Sequence, residues 1–140
     1  MPRVPRGFSL IELLAALAIA AVLAALAVPA YRQHAYRVRR IEGKELLLRI
    51  AQAQERYYAS YGRYGALAEL GFAEPVRSTH GYYLATLNLG TGVSMQSFVA
   101  TALPARVQRD DRCGALALDD TGRKMPEAGD AAANGHGACW

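Results

Sequence analysis

The sequence predicts an α+β fold in which one long N-terminal helix packs across a small antiparallel sheet, and three observations predict it. Apolar residues run almost unbroken from Phe8 to Ala30. After them, apolar side chains recur every three or four positions as far as Tyr61, the period of a one-sided helix. Beyond Tyr82 the pattern changes to short alternating stretches separated by glycine and aspartate turns. A sheet with one apolar face needs cover, and the amphipathic part of the helix is the element available to supply it. At 140 residues, 52% of them hydrophobic, the chain has room for one compact domain plus one appended element, and its composition is not that of a disordered segment.

The elements follow in order. Residues 1–7, MPRVPRG, are basic and proline-containing with no periodicity, and read as a leader. Residues 8–30 are interrupted only by Ser9, Glu12 and Pro29. At 1.5 Å per residue they span roughly 34 Å as a helix, enough for a hydrocarbon core of about 30 Å. A cleaved secretory signal is the competing reading. Such a signal, however, has an apolar run of only about 7 to 15 residues before its cleavage site. Residues 31–61 continue the helix with one apolar stripe, Leu47, Ile50, Ala51, Gln54, Tyr57, Tyr58 and Tyr61, facing the sheet, while Arg49, Gln52 and Arg56 face away. Pro29 lacks an amide donor and crowds the preceding turn, so a kink is expected there. The helix should stop at Tyr61-Gly62, where glycine accepts a left-handed cap.

Residues 62–140 form the expected globular head. A polar connection, with a single turn at 66–70, leads to strands at 82–89 and 97–103 joined by the Gly-Thr-Gly turn at 90–92. A second hairpin is expected from Ala115 to Leu118 and Arg123 to Met125 around Asp119-Asp120-Thr121-Gly122. Residues 126–138, rich in Ala, Gly and Asp, form a surface loop. Cys113 and Cys139 suit an oxidising compartment and a bridge closing that loop, although two reduced structural cysteines fit the sequence as well.

Charge is unevenly placed. The net charge is +4, with seven basic and three acidic side chains in residues 31–56 and a balance of minus one over residues 57–140. Arg3 and Arg6 precede the apolar run, but Arg32, Arg37, Arg39 and Arg40 follow it, so charge alone does not orient a membrane span. A bridge between the cysteines would place the head outside the cytoplasm. The basic stripe Arg32, Arg37, Arg39, Arg40 and Lys44 has three readings: phosphate contacts to nucleic acid, attraction to anionic headgroups, or a filament interior where it meets Glu42, Glu45 and Glu55. Burial of the helix in a packed filament would count against DNA binding at the stripe, and the near-neutral head counts against a cationic DNA-binding patch on the head. The aspartate pairs Asp110-Asp111 and Asp119-Asp120 offer too few oxygens for calcium, which takes six to eight. No metal site, cofactor or catalytic set is expected: His34, His80 and His136 are scattered, and no phosphate-binding glycine loop occurs.

One residue resists a purely structural reading. A carboxylate inside a membrane helix costs about 2.5 to 3.5 kcal/mol on the most lenient scale, and Glu12 sits within the apolar run. The segment Gly7-Phe8-Ser9-Leu10-Ile11-Glu12, its basic leader and its continuation to Val28-Pro29-Ala30-Tyr31 resemble the class III signal and N-terminal helix of type IV pilins and pseudopilins. Ala51 to Tyr58 with Gly62-Arg63-Tyr64, and the stretch from Cys113 through Leu118 and Asp120 to Arg123 and on to Cys139, resemble minor pilins of the PilE kind.

The resemblance implies a type IV pilin-like fold with a disulfide-closed C-terminal loop. It also implies cleavage between Gly7 and Phe8 by prepilin peptidase, N-methylation of Phe8, and Glu12 as the assembly carboxylate that meets the new N-terminus of a neighbouring subunit. Many relatives carry glycine where Ala21 stands, and that glycine, with the later proline, is associated with helix melting in the filament. Alanine favours the helix by about 1 kcal/mol over glycine, which leaves Pro29 to supply the weakness. The implied partners are other pilins, the peptidase and the inner-membrane assembly machinery. The implied location is a single-pass inner-membrane protein with its head in the periplasm, then an extracellular pilus. The implied role is a minor pilin in pilus biogenesis and twitching motility, a structural subunit and not an enzyme. The alternatives are a DNA-uptake pilin and a type II secretion pseudopilin.

Overall fold

A computed structural model describes residues 7–90, 96–135 and 137–140 of the chain. The chain divides into two compact units, residues 1–35 and 36–140. The expected leader lies outside the described residues except for Gly7.

In the first unit the chain enters helix α1, Leu10–Tyr61, through Ser9, whose carbonyl accepts the amides of Glu12 and Leu13 at 3.1 Å. The helical assignment continues through Pro29. Every residue from Gly7 to His34 is exposed, including Phe8 (82%), Leu10 and Ile11. The helix is long and apolar enough to cross a membrane, with none of its most hydropathic window buried inside the chain.

In the second unit the sheet is an antiparallel meander, β1 (Tyr83–Leu89), β2 (Phe98–Pro104), β3 (Leu116–Asp119) and β4 (Lys124–Met125), in that spatial order. Its register sets Ala85 opposite Ala102, Ala102 opposite Leu116 and Ala100 opposite Leu118. These small residues leave space for the helix, whose Leu46, Leu47 and Ile50 join Tyr83, Phe98, Leu116 and Leu118 in the core. Burying a Leu or Ile side chain is worth about 1.5 to 3 kcal/mol, so three such residues on one helical face account for much of the attachment. At Gly43 the helix passes close to β1: a Cβ there would stand 3.0 Å from the Tyr83 ring. Pro104 has no N–H to donate toward β3, and pairing with that strand ends at Ala102.

The expected helix cap, the 66–70 turn and the Asp119–Gly122 turn are present. Helix α1 ends at Tyr61 with Gly62 at φ 65°, and the 66–70 turn closes through the Leu70 amide on the Ala66 carbonyl at 3.1 Å. Asp119 Oδ1 accepts the amides of Thr121 (3.0 Å) and Arg123 (2.9 Å) and the Thr121 hydroxyl, with Gly122 at φ 78°. These bonds hold the Asp119 carboxyl below its ordinary range. The expected turn at 90–92 falls largely outside the described residues, although the Gly90 amide donates to the Ser97 carbonyl at its base. Cys113 and Cys139 are joined in a disulfide with Cα atoms 5.7 Å apart, which excludes the reduced alternative for this structure.

Two expectations fail. Tyr61 does not cover the sheet; it is 67% exposed, and Tyr57 and Tyr58 are only half-buried. The sheet-covering turns of α1 end near Gln54, and past them the rings pack on one another. The Tyr57 and Tyr61 rings meet tilted at 4.4 Å between centroids, while Tyr58 reaches Tyr64 at 4.8 Å. It is Tyr64 that enters the core, edge-on to Phe98. Secondly, Arg40 does not belong to a solvated basic stripe. It is 4% exposed, because it shares the buried face of Gly43, Leu47 and Ile50 at helical spacing.

Candidate functional site

The residues expected to matter for processing and assembly all lie in the first unit. Gly7, Phe8 and Ser9 precede the helix, and a Cβ on Gly7 would meet nothing within 4 Å. The Gly7–Phe8 peptide therefore precedes the helix, and no described residue crowds a Cβ at Gly7. Glu12 falls in the first turn of α1, with Ser9 three residues before it at the spacing of a capping box. A carboxylate there is favoured by the helix N-terminus, by about 0.3 to 1 kcal/mol at an exposed site. That is less than the cost of placing it in hydrocarbon, so the position softens the penalty without removing it. Among the described residues Glu12 forms no ion pair. Pro29 lies mid-helix and exposed.

The second unit contains a buried polar network that the sequence reading did not anticipate. Arg40 donates through Nε to Asp111 Oδ2 at 2.7 Å and through Nη2 to Oδ1 at 2.6 Å, with side chains 5% and 1% exposed. Gln108 Nε2 donates to Asp111 Oδ2 at 2.7 Å, and the Cys113 amide donates to Oδ1 at 3.3 Å. Gln108 also reaches the Tyr36 carbonyl and the Tyr83 hydroxyl, each at 3.2 Å, and Arg40 Nη1 lies 3.4 Å from the Ala138 carbonyl. Burial pushes the Tyr83 phenol up to about 12. The network ties the helix, the turn after β2 and the bridged C-terminal loop together. A signal for it existed: Arg40 precedes Gly43 by three positions and Leu47 by seven, which places it on the apolar stripe.

The five-residue basic stripe consequently does not exist as one surface. Arg32 and Arg37 are exposed, and the Arg39 guanidinium lies 5.0 Å above the Tyr82 ring. Arg40 is buried, and Lys44 is half-buried with its ammonium pKa lowered by desolvation and by Arg40 and Lys124. Nor is the acid Glu42 spent on the stripe, since its carboxylate accepts the His80 amide at 3.1 Å and meets His80 Nδ1 at 2.6 Å. The head is near neutral in total but not in distribution. Asp111 is withdrawn to the interior, Asp119 closes a hairpin, and Glu69 and Glu127 pair with Arg63 and Arg123. Arg106 and Arg109 remain exposed on the turn after β2.

Comparison with known proteins agrees with this architecture. Among solved structures, a type IV pilin from Shewanella oneidensis matches with a TM-score of 0.54 and 28% identity, covering 75% of this chain and 97% of that one. The type IV major pilin protein PilE1 of Neisseria gonorrhoeae is 32% identical over 93 residues, 66% of this chain and 44% of the relative. The type IV major pilin protein PilA of Myxococcus xanthus is 37% identical over 78 residues, 55% of this chain and 36% of the relative. The chain thus aligns with less than half the length of these two relatives. A model of the prokaryotic N-terminal methylation motif matches residues 3–28, the leader and apolar run. The model described as "Type IV minor pilin ComP, DNA uptake sequence receptor" matches residues 29–117, from Pro29 through both long strands and past Asp111 and Cys113. With well over half of its length in that match and a pilin fold around it, this chain belongs to the type IV minor pilin ComP family.

Proposed function

We propose that the chain works as a minor pilin, a structural subunit of a type IV filament, and that its head contacts DNA for uptake. Prepilin peptidase cuts between Gly7 and Phe8, Phe8 is N-methylated, and residues 8–30 hold the subunit in the inner membrane with residues 62–140 in the periplasm. The assembly machinery then draws the subunit into the filament, where residues 8–30 of many pilins pack together and residues 31–61 carry the heads. Glu12 receives the ammonium group of a neighbour's Phe8, so two charges that are each expensive in an apolar bundle become one pair.

The observation that carries this reading is the exposed apolar surface from Phe8 to Val28 with a single carboxylate at its head. No part of the second unit is needed to explain it, and a soluble monomer does not tolerate an apolar patch of that size. Its many alanines, Ala15, Ala16, Ala18, Ala20, Ala21, Ala24, Ala25 and Ala27, allow close helix approach when lipid is exchanged for protein. Head-to-tail contacts of this kind do not close, so they extend as a fibre.

DNA uptake is favoured over twitching motility as the head's task by the family match, whose description is that of a receptor for a DNA uptake sequence. Mass spectrometry of sheared filaments tests the assembly reading, with a mature chain beginning at methylated Phe8 as the expected result. Glu12→Ala should leave cleavage intact and remove the subunit from the filament; normal incorporation would refute the pairing. Loss of transformation with normal twitching after gene deletion is the outcome expected for DNA uptake, and the reverse outcome would restore the PilE-like role.

A further inference from the structure

Buried bonds hold the turn after β2 against the start of the second unit's helix, and most of the charged side chains left outside are cationic. Gln108 donates to the Tyr36 carbonyl at 3.2 Å, and Arg40 grips Asp111. These contacts take one acid and one base inward together. Arg37 on the helix and Arg106 and Arg109 on the turn stay exposed, with Arg39 lying over Tyr82. Arg106 Nη1 lies 3.9 Å from where a Gly81 Cβ would be, which brings it to the segment that carries Tyr82. Asp110 is an exposed acid of the same turn. Between the two exposed arginines of the turn stands Val107, itself 55% exposed, and Leu103 of β2 is 42% exposed.

We infer that Arg37, Arg39, Arg106 and Arg109 bind the phosphates of anionic phospholipids while the subunit stands in the membrane, drawing the head onto the bilayer surface before extraction. Three physical arguments support it. A guanidinium fork matches a phosphate, so four of them favour any dense phosphate surface. Exposed Val107 and Leu103 beside the arginines suit a headgroup boundary, where apolar groups find acyl chains, whereas the phosphate backbone of a DNA duplex offers them nothing. Finally, Arg37 lies seven positions after Ala30, so even a fully extended connection spans no more than about 25 Å. A subunit anchored by residues 8–30 therefore tethers Arg37 within that distance of the bilayer. The inference rests on the membrane-anchored stage of the proposed function.

The test uses the full chain in lipid nanodiscs, of phosphatidylcholine or of phosphatidylglycerol, with amide hydrogen exchange of residues 106–112 as the readout. Exchange several-fold slower in phosphatidylglycerol is expected, reversed by high salt and by the double variant Arg37→Gln/Arg109→Gln, while β2 amides exchange alike in every case. Equal exchange in the two discs overturns the inference. So does protection that arises only when a short DNA duplex is added, which would assign the cluster to DNA. Incorporation is read separately by co-migration of chain and disc: a chain that enters neither disc defeats the anchoring and this inference with it, and a chain that enters both without a difference defeats this inference alone.

Discussion

Residues 10–34 and residues 40–54 belong to the same helix and draw on much the same aliphatic stock, yet their surroundings are opposite. Along the first, every side chain is exposed. Along the second, one face is buried almost completely, Leu46 at 1% and Leu47 and Ile50 at 0%. The difference lies in who supplies the partner. The second stretch has one in its own chain, a sheet whose inner alanines leave room for it. The first must find its cover elsewhere, in lipid or in other subunits. Helicity is common to both, because backbone hydrogen bonds close within the helix whatever surrounds it, whereas burial depends on what packs against it.

Substitutions that disturb one region and spare the other sharpen that contrast, and the largest effect is expected at the buried ion pair. Asp111→Ala leaves the Arg40 guanidinium buried without a counterion, and should destabilise the second unit by roughly 3 to 5 kcal/mol. Membrane insertion, set by residues 8–30, should not change. Replacing Arg40 and Asp111 together with apolar residues should recover most of the loss in a thermal unfolding series. Failure to recover would mean that the hydrogen bonds to Gln108, Cys113 and Ala138 carry the network instead of the charge balance.

Cys139→Ser comes next. The bridge closes a separation of 26 residues, and its loss should cost about 3.5 kcal/mol on the chain-entropy model. Unchanged unfolding under oxidising conditions would contradict this. Gly43→Ala should follow, destabilising by about 0 to 2 kcal/mol. Alanine gains about 1 kcal/mol in helix propensity over glycine, but its Cβ meets the fully buried Tyr83 ring at 3.0 Å, and overpacking of this kind costs roughly 1 to 3 kcal/mol. A stabilised Gly43→Ala variant would show that the helix and sheet separate more easily than their contact suggests.

The smallest effect is a pH response at the surface. Glu69 accepts hydrogen bonds from Arg63, the Ala66 amide and the Tyr57 hydroxyl, which hold its carboxyl down at about 2. Its folded pKa lies below the ordinary 4.5, so its contribution is complete above that value and is lost as pH falls from 4.5 toward 2. Hydrogen exchange at Ala66 should quicken over that interval while the core strands keep their protection. An Ala66 amide indifferent to pH in that window would remove Glu69 from the corner's support.

Much of the architecture could be read from residue order. The limits of the apolar run, the stop at Gly62, the four strands and the hairpin at Asp119 to Arg123 depend on local periodicity and turn chemistry, which short-range sequence carries. Assigning Tyr61 to the core and Arg40 to the surface went wrong for a shared reason. Periodicity identifies a helical face but does not say how far along the helix the partner extends, nor which charge waits on the other side. Tyr61 lies beyond the end of the sheet, and Arg40 is buried because Asp111, 71 positions away in sequence, comes to meet it.

By itself the sequence determined that this chain has a membrane-length apolar helix with one carboxylate in its first turn, followed by a small α+β head. Those features need only the chain's own hydropathy, spacing and turn residues. Tertiary structure alone decided that Arg40 and Asp111 cancel in the interior, and that Arg37, Arg39, Arg106 and Arg109 remain as the cationic surface at that end of the head. Charge summed along a chain is blind to which opposite charges become neighbours, and only folding brings them within hydrogen-bonding distance.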